Sequence, residues 1–379
     1  MHGAAAFSLA HLHDRAYRLT AVFLFLLLFL PSSAYAVSRE EADAFGIGSV
    51  EAEAPPQVGE ILGDISVTDA LAPEGLLSKL WDNITAGFSA HVKKAAHSAV
   101  IIVIVVLLCA MAGTMYQGSV PDLVPLGGTL AVSAVAVGDM NSLFGLGTEM
   151  LASLTDFSRI LMPSLAAAAS ASGAVSSAAA KYAAVTLFMD ILMSVSQNVI
   201  MPLIYAYVAL IIANAAMGNG ALAGTASLLK WLCVTSMTIL VITFAGYLSI
   251  TGVISGSADA VATRVAKTTM STLLPVVGSI ISDAAGTVVV GAGLLRNAVG
   301  VFGMICVLCV CAAPFVKLGI QYLLYKAAGG LSCAFADGRL SGLISGIGTA
   351  FGMVLSLVGA GAIMMFFSLI SFMKAVTGA

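Results

Sequence analysis

Five ionisable residues stand inside or beside otherwise apolar runs: Asp139, Asp190, Lys230, Asp283 and Lys317. A charge in a membrane segment is expensive, so such residues mark ion paths, proton relays or interhelical bonds. Asp190 carries the most chemistry, because Ser194, Gln197 and Asn198 follow it at i+4, i+7 and i+8 and share one helix face. That face could line a polar path, or it could bond a neighbouring helix. Asp139 and Lys230 lie near segment ends, where long side chains snorkel to the interface. Asp283 lies in a small-residue stretch that could be re-entrant.

Ordinary catalysis finds little support. All five histidines (His2, His11, His13, His91, His97) precede residue 98, so none can act as a base deep in an apolar core. There is no nucleotide-binding P-loop, HExxH motif or GxSxG elbow. Cys306, Cys309 and Cys311 have metal-like spacing, but Val299–Val316 offers no His or carboxylate to complete a site. The chain reads as a non-enzyme, with no catalytic residue, metal or cofactor.

The elements that would position Asp190 are long apolar helices interrupted by proline. Pro163, Pro202, Pro275 and Pro314 each remove a backbone donor and free a carbonyl that lipid cannot satisfy, so each is a candidate helix break or kink. They pair at one offset, 112 residues: Leu161-Met162-Pro163 with Leu273-Leu274-Pro275, and Met201-Pro202-Leu203 with Ala313-Pro314-Phe315. Gly218 pairs with Gly330 at the same offset. Small residues follow the first proline of each copy, over 166–180 and 278–293. An internal duplication, 155–255 and 267–367, is therefore expected. Its charges are not duplicated: Asp190 aligns with Phe302, Gln197 with Cys309 and Asp283 with Ala171. Gly252, Gly342 and Gly348 each open a GxxxG spacing that permits tight helix contact.

Composition sets the class. Of 379 residues only 9% are charged, against about 25% in soluble domains. The apolar fraction is 60%, Gly reaches 38 and mean hydropathy is +1.04. The expected fold is all-α, a polytopic transmembrane bundle of six to eight hydrophobic segments. Net charge is −3 and no basic run exceeds Lys93-Lys94, so nucleic acid is not a partner; the lipid bilayer is. Arg15 and Arg18, the run Ala21–Leu30 and Ala34-Tyr35-Ala36 lay out a signal peptide over 1–36. Residues 37–97 carry ten acids and four bases and read as an extracytoplasmic acidic segment. Within it Leu77, Leu80, Trp81, Ile84 and Phe88 line one face of a helix.

The multi-span domain is 98–379. A span needs about 20 apolar residues, and eight segments qualify: 98–116, 123–140, 161–180, 183–217, 228–255, 272–295, 299–325 and 343–373. Between the second and third, 143–160 reads as an interfacial amphipathic helix. Loop bases favour three crossings per repeat and hence inverted repeats, by five inside to four outside.

Six stretches resemble one known family. They are Ser172–Ala178 (SGAVSSA), Asn198–Ile204 (NVIMPLI), Thr263–Lys267 (TRVAK), Leu274–Gly278 (LPVVG), Ser282–Ala284 (SDA) and Leu295–Gly300 (LRNAVG). In order and spacing over about 160–330 they resemble stage III sporulation protein AE of endospore-forming bacteria. The resemblance implies a membrane subunit of the channel-like complex between mother cell and forespore, needed for forespore development and late forespore gene expression. It implies residence in the mother-cell-derived outer forespore membrane, with the N-terminal segment outside the cytoplasm. The implied partners are the other stage III sporulation A-operon proteins and forespore protein Q. The rival reading from the paired prolines and Asp190 is an inverted-repeat secondary transporter or permease-like protein.

Overall fold

The computed structural model describes residues 54–62, 73–115, 123–218, 220–273, 278–335 and 338–373; side chains of 252–290 and of most of 73–90 fall outside that description. The signal peptide, the helix-breaking role of Pro275 and the side chain of Asp283 therefore lie outside the described residues, although the backbone of 283 is helical.

The described elements are all α-helical. In chain order they are α1 (Pro56–Leu62), α2 (Pro73–Met115), α3 (Leu123–Ala171), α4 (Val175–Val195), a π-helical turn (Ser196–Ile200), α5 (Met201–Met217), α6 (Ala223–Leu273), α7 (Gly278–Ser332) and α8 (Gly338–Met373). Among the described residues six helical stretches are long and apolar enough to cross a membrane: His91–Gly113, Leu123–Ala171, Val175–Met217, Ala223–Thr251, Gly291–Ser332 and Gly338–Met373. The chain is thus an all-α polytopic bundle. Several helices exceed what a bilayer needs. The 55 residues of α7 rise about 80 Å, against a hydrocarbon core of about 30 Å.

The core sits on α7 and α8, whose apolar stretches are 72% buried, whereas those of α2 and α6 are 17% buried. Tyr325 and Phe351 meet with ring centroids 5.2 Å apart, and Phe144 of α3 meets Phe351 at 5.8 Å. Small residues bring the two central helices together. A Cβ on Gly329 would stand 3.0 Å from the Ser345 backbone nitrogen, and one on Gly348 3.3 Å from that of Lys326. Of the GxxxG spacings, Gly348 and Gly352 both face α7, Gly346 faces Tyr207 and Ile211 of α5, and Gly342 has open space. Outward, α2 and α6 present Val100, Ile104, Leu108, Met111, Leu228, Trp231, Ile239 and Ile242, an apolar surface suited to lipid.

Two expectations need correction. The segment 143–160 is no separate interfacial helix but the middle of α3, and its apolar side (Phe144, Met150, Leu151, Leu154, Phe157) is buried in the bundle. The segment 161–180 is not one span, because residues 172–174 turn the chain between α3 and α4. Gly173 takes φ 93°, and the Ala174 N–H reaches back to the Ala169 carbonyl at 3.0 Å, closing α3 with a glycine cap. The described residues hold six candidate crossings, within the six to eight expected, and most of the segment 272–295 lies outside the described side chains.

The paired prolines take unlike settings. Pro163 and Pro314 lie inside α3 and α7, which run on through them without a break. Pro202 opens α5 directly after the π-helical turn. Gly218 is the left-handed cap of α5 at φ 71°, while Gly330 is an ordinary helical residue of α7.

Candidate functional site

The α3–α4 hairpin gathers three charged residues of the spans, Asp156, Arg159 and Asp190, on one outward face. The Gly173 turn folds α4 back along α3, so residues roughly equidistant from it meet. Arg159 donates through Nη2 to Asp190 Oδ1 at 2.8 Å and through Nη1 to Asp156 Oδ1 at 3.5 Å. The side chains of Arg159, Asp190 and Asp156 are 57%, 48% and 70% exposed. Beside them Ser194, Gln197 and Asn198 are exposed too. Asn198 Nδ2 donates to the Ser194 carbonyl at 3.0 Å, and Gln197 Nε2 reaches Met193 Sδ at 3.8 Å. The π-helical turn spans Ser196–Ile200, the same stretch that carries Gln197 and Asn198.

Asp190 and its three polar followers therefore do share a face, and that face points out of the bundle. Its bond to a neighbouring helix is the ion pair to Arg159, within the hairpin. Asp156 and Arg159 were missing from the candidate residues because their helix was read as interfacial. The signal that finds them is the Ser172-Gly173 turn, which brings 159 opposite 190.

A second polar group joins α2, α3 and α7. The Asp139 carboxylate accepts from Gln321 Nε2 at 2.6 Å, Tyr325 Oη at 2.9 Å and Ser98 Oγ at 3.2 Å. Beside it a cleft of about 400 Å³ is lined by His91, Lys94 and Lys317 as well as Asp139 and Gln321. Asp139, read as a snorkelling charge, and Lys317 thus line one cleft. A second cleft, of about 440 Å³, lies between α5, α6 and α8 and takes in Lys230 and Arg339.

Two further cations are structural. Lys181 and Arg296 are each 3% exposed. Lys181 Nζ donates to the Ser371 carbonyl of α8 at 2.6 Å, and Arg296 Nη1 to Ser172 Oγ at 3.1 Å. They tie the hairpin turn to α8 and α7. Cys306, Cys309 and Cys311 are buried free thiols, and no group of three potential metal ligands forms among the described residues.

A family model described as stage III sporulation protein AE matches residues 57–376, from α1 through α8 and so across every group above. The chain belongs to the stage III sporulation protein AE family. Stage III sporulation protein AE of Bacillus subtilis (strain 168) is 24% identical over 272 residues, which cover 72% of this chain and 68% of that protein. No solved structure matches. Membership gives this family member a role in sporulation, and the six long apolar helices among its described residues make it a membrane protein.

Proposed function

We propose that the chain is a membrane subunit of the channel-like complex between mother cell and forespore, acting with the other A-operon proteins and forespore protein Q. It resides in the mother-cell-derived outer forespore membrane and supports forespore development and late forespore gene expression. Family membership supports the sporulation role. The observation that carries the further step is the charged outward face of α3 and α4. Lipid is the one neighbour such a face excludes, because exposed carboxylates and a guanidinium are costly in hydrocarbon. It must border a partner subunit or an aqueous space, as a subunit of a conducting or docking assembly would. A secondary transporter built on inverted repeats is less well supported, since this polar face lies on the outside of the bundle.

The experiment is genetic, with a biochemical control. Deleting the gene should arrest spore development after engulfment, and the wild-type gene should restore it. Arg159→Ala and Asp190→Asn are expected to lower spore yield while leaving the thermal midpoint of the purified protein unchanged. Normal spores from the deletion would overturn the role. Full yield from both variants would overturn the part given to this face.

With the N-terminal segment outside, six crossings put 218–222 and 333–337 on the cytoplasmic side and the Gly173 turn outside. Leaving aside Lys317 within the α7 span, the bases from Arg159 onward then fall three inside and six outside, against the usual bias, but Lys181 and Arg296 are buried and an exported segment overrides loop charge. Cys333 is the one exposed cysteine of six. A membrane-impermeant maleimide should label it in inside-out vesicles and not in right-side-out ones. In a Cys333→Ser, Val175→Cys protein the pattern should reverse, since Val175 is 60% exposed beside the turn. Labelling of Cys333 from outside would invert the orientation.

A further inference from the structure

The cleft between α5, α6 and α8 has a chemistry that the sporulation role leaves unused. Lys230 and Arg339 line it together with Asn214, Tyr207 and several glycines, and none of the described residues that line it is acidic. Its electrostatic preference is therefore for an anion. The first turns of α6 and α8 border it, and the amides at helix starts add to that preference.

The cleft is built rather than incidental. Gly218 caps α5 in the left-handed region, and a Cβ there would fall 2.1 Å from the Arg339 guanidinium carbon. The guanidinium is thus laid against the cap backbone, where only glycine leaves room. Asn214 Oδ1 accepts from the Leu222 N–H at 3.1 Å and holds the connection in place. Tyr207 Oη donates to the Gly346 carbonyl at 3.3 Å and closes the inner wall between α5 and α8.

Position names the anion. The cleft lies where α5 ends and α6 and α8 begin, so it opens at the ends of three apolar crossings, the depth of lipid headgroups. On α6 next to Lys230, Trp231 is 63% and Leu228 59% exposed, an aromatic and an apolar surface of the kind that meets acyl chains below a headgroup. We infer that this cleft binds the phosphate headgroup of an anionic glycerophospholipid, with Lys230 and Arg339 as its cationic contacts and the acyl chains along α6. The inference does not depend on the channel reading or on which side of the membrane the cleft faces.

The chain has two tryptophans, Trp81 and Trp231, so a Trp81→Phe protein in neutral detergent reports on Trp231 alone. Phosphatidylglycerol with brominated acyl chains is expected to quench it at a mole fraction lower than brominated phosphatidylcholine by on the order of tenfold, the scale of two interfacial cations. Lys230→Gln with Arg339→Gln should abolish that preference while circular dichroism remains helical. If the double variant does not fold, the exposed Lys230→Gln change alone should reduce the preference. Equal quenching by the two lipids, or a preference that survives loss of the cations, overturns the inference. Displacement of the lipid by millimolar inorganic phosphate would assign the cleft to a soluble phosphate instead, and overturns the lipid assignment.

Discussion

Gly329→Val should separate α7 from α8 and leave the protein largely unfolded or aggregated on extraction into detergent, whereas Gly330→Ala, one residue on, should leave it intact. The two glycines share a helix and differ in what faces them. A Cβ at 329 would meet Ser345 backbone nitrogen at 3.0 Å and its Cα at 3.2 Å, while a Cβ at 330 meets nothing within 4 Å. Backbone cannot rotate aside as a side-chain tip can, so the helices themselves must shift. Overpacking in a dense interior costs about 1–3 kcal/mol, and valine adds two methyls beyond the first clash. The shift also disturbs the Lys326 ammonium, which donates to the Ser345 carbonyl at 2.9 Å and Thr349 Oγ1 at 2.8 Å across the same seam. At 330 the change removes a helix-interior glycine, worth up to about 1 kcal/mol in favour of alanine. The two variants should therefore move the thermal midpoint in opposite directions. Equal effects would mean that α7 and α8 do not meet at this register.

How far the sequence foretold this depends on whether the signal was local. The crossings were legible because an apolar run of span length has few other uses, and α2, α4 together with α5, α6, α7 and α8 each contain one. The middle of α3 was legible as a helix and misread as to its neighbour. Its periodicity marks an apolar face without saying whether lipid or protein covers it, and here α8 does, with Gly147 against Val354 and Gly361 against Leu151. The turn at 172–174 hid in a run of alanine and serine that suits a helix equally well, and with it went the pairing of Arg159 with Asp190. Lys181 and Arg296 read as loop charges because a single base beside an apolar run usually is one. Their burial depends on a serine hydroxyl and a carbonyl supplied by other helices, 124 and 190 residues away. The prolines left a break and a kink equally open, and at Pro163 and Pro314 the helices α3 and α7 continue without a break.

The Asp139 group is equally non-local and supports the second large prediction. Its three donors come from residues 41, 182 and 186 positions away. Asp139→Ala should destabilise the bundle by about 2–5 kcal/mol, because it strands the hydroxyl of Tyr325, which is 0% exposed, and the amide of Gln321, at 3%. Each unpaired buried donor costs about 1–3 kcal/mol, and the half-buried carboxylate regains little by its removal. Tyr325→Phe alone should cost less, about 1 kcal/mol, since Asp139 keeps Gln321 and Ser98 as donors. The decisive measurement is the double variant. With Asp139 already alanine, removing the Tyr325 hydroxyl takes away a stranded donor, so Tyr325→Phe should become neutral or stabilising there. The cycle should give a coupling of about 1–2 kcal/mol, in the range found for residues sharing one bond network. Strict additivity in detergent unfolding would mean that the carboxylate and the phenol do not meet, and that α3 and α7 are held together by apolar contact alone.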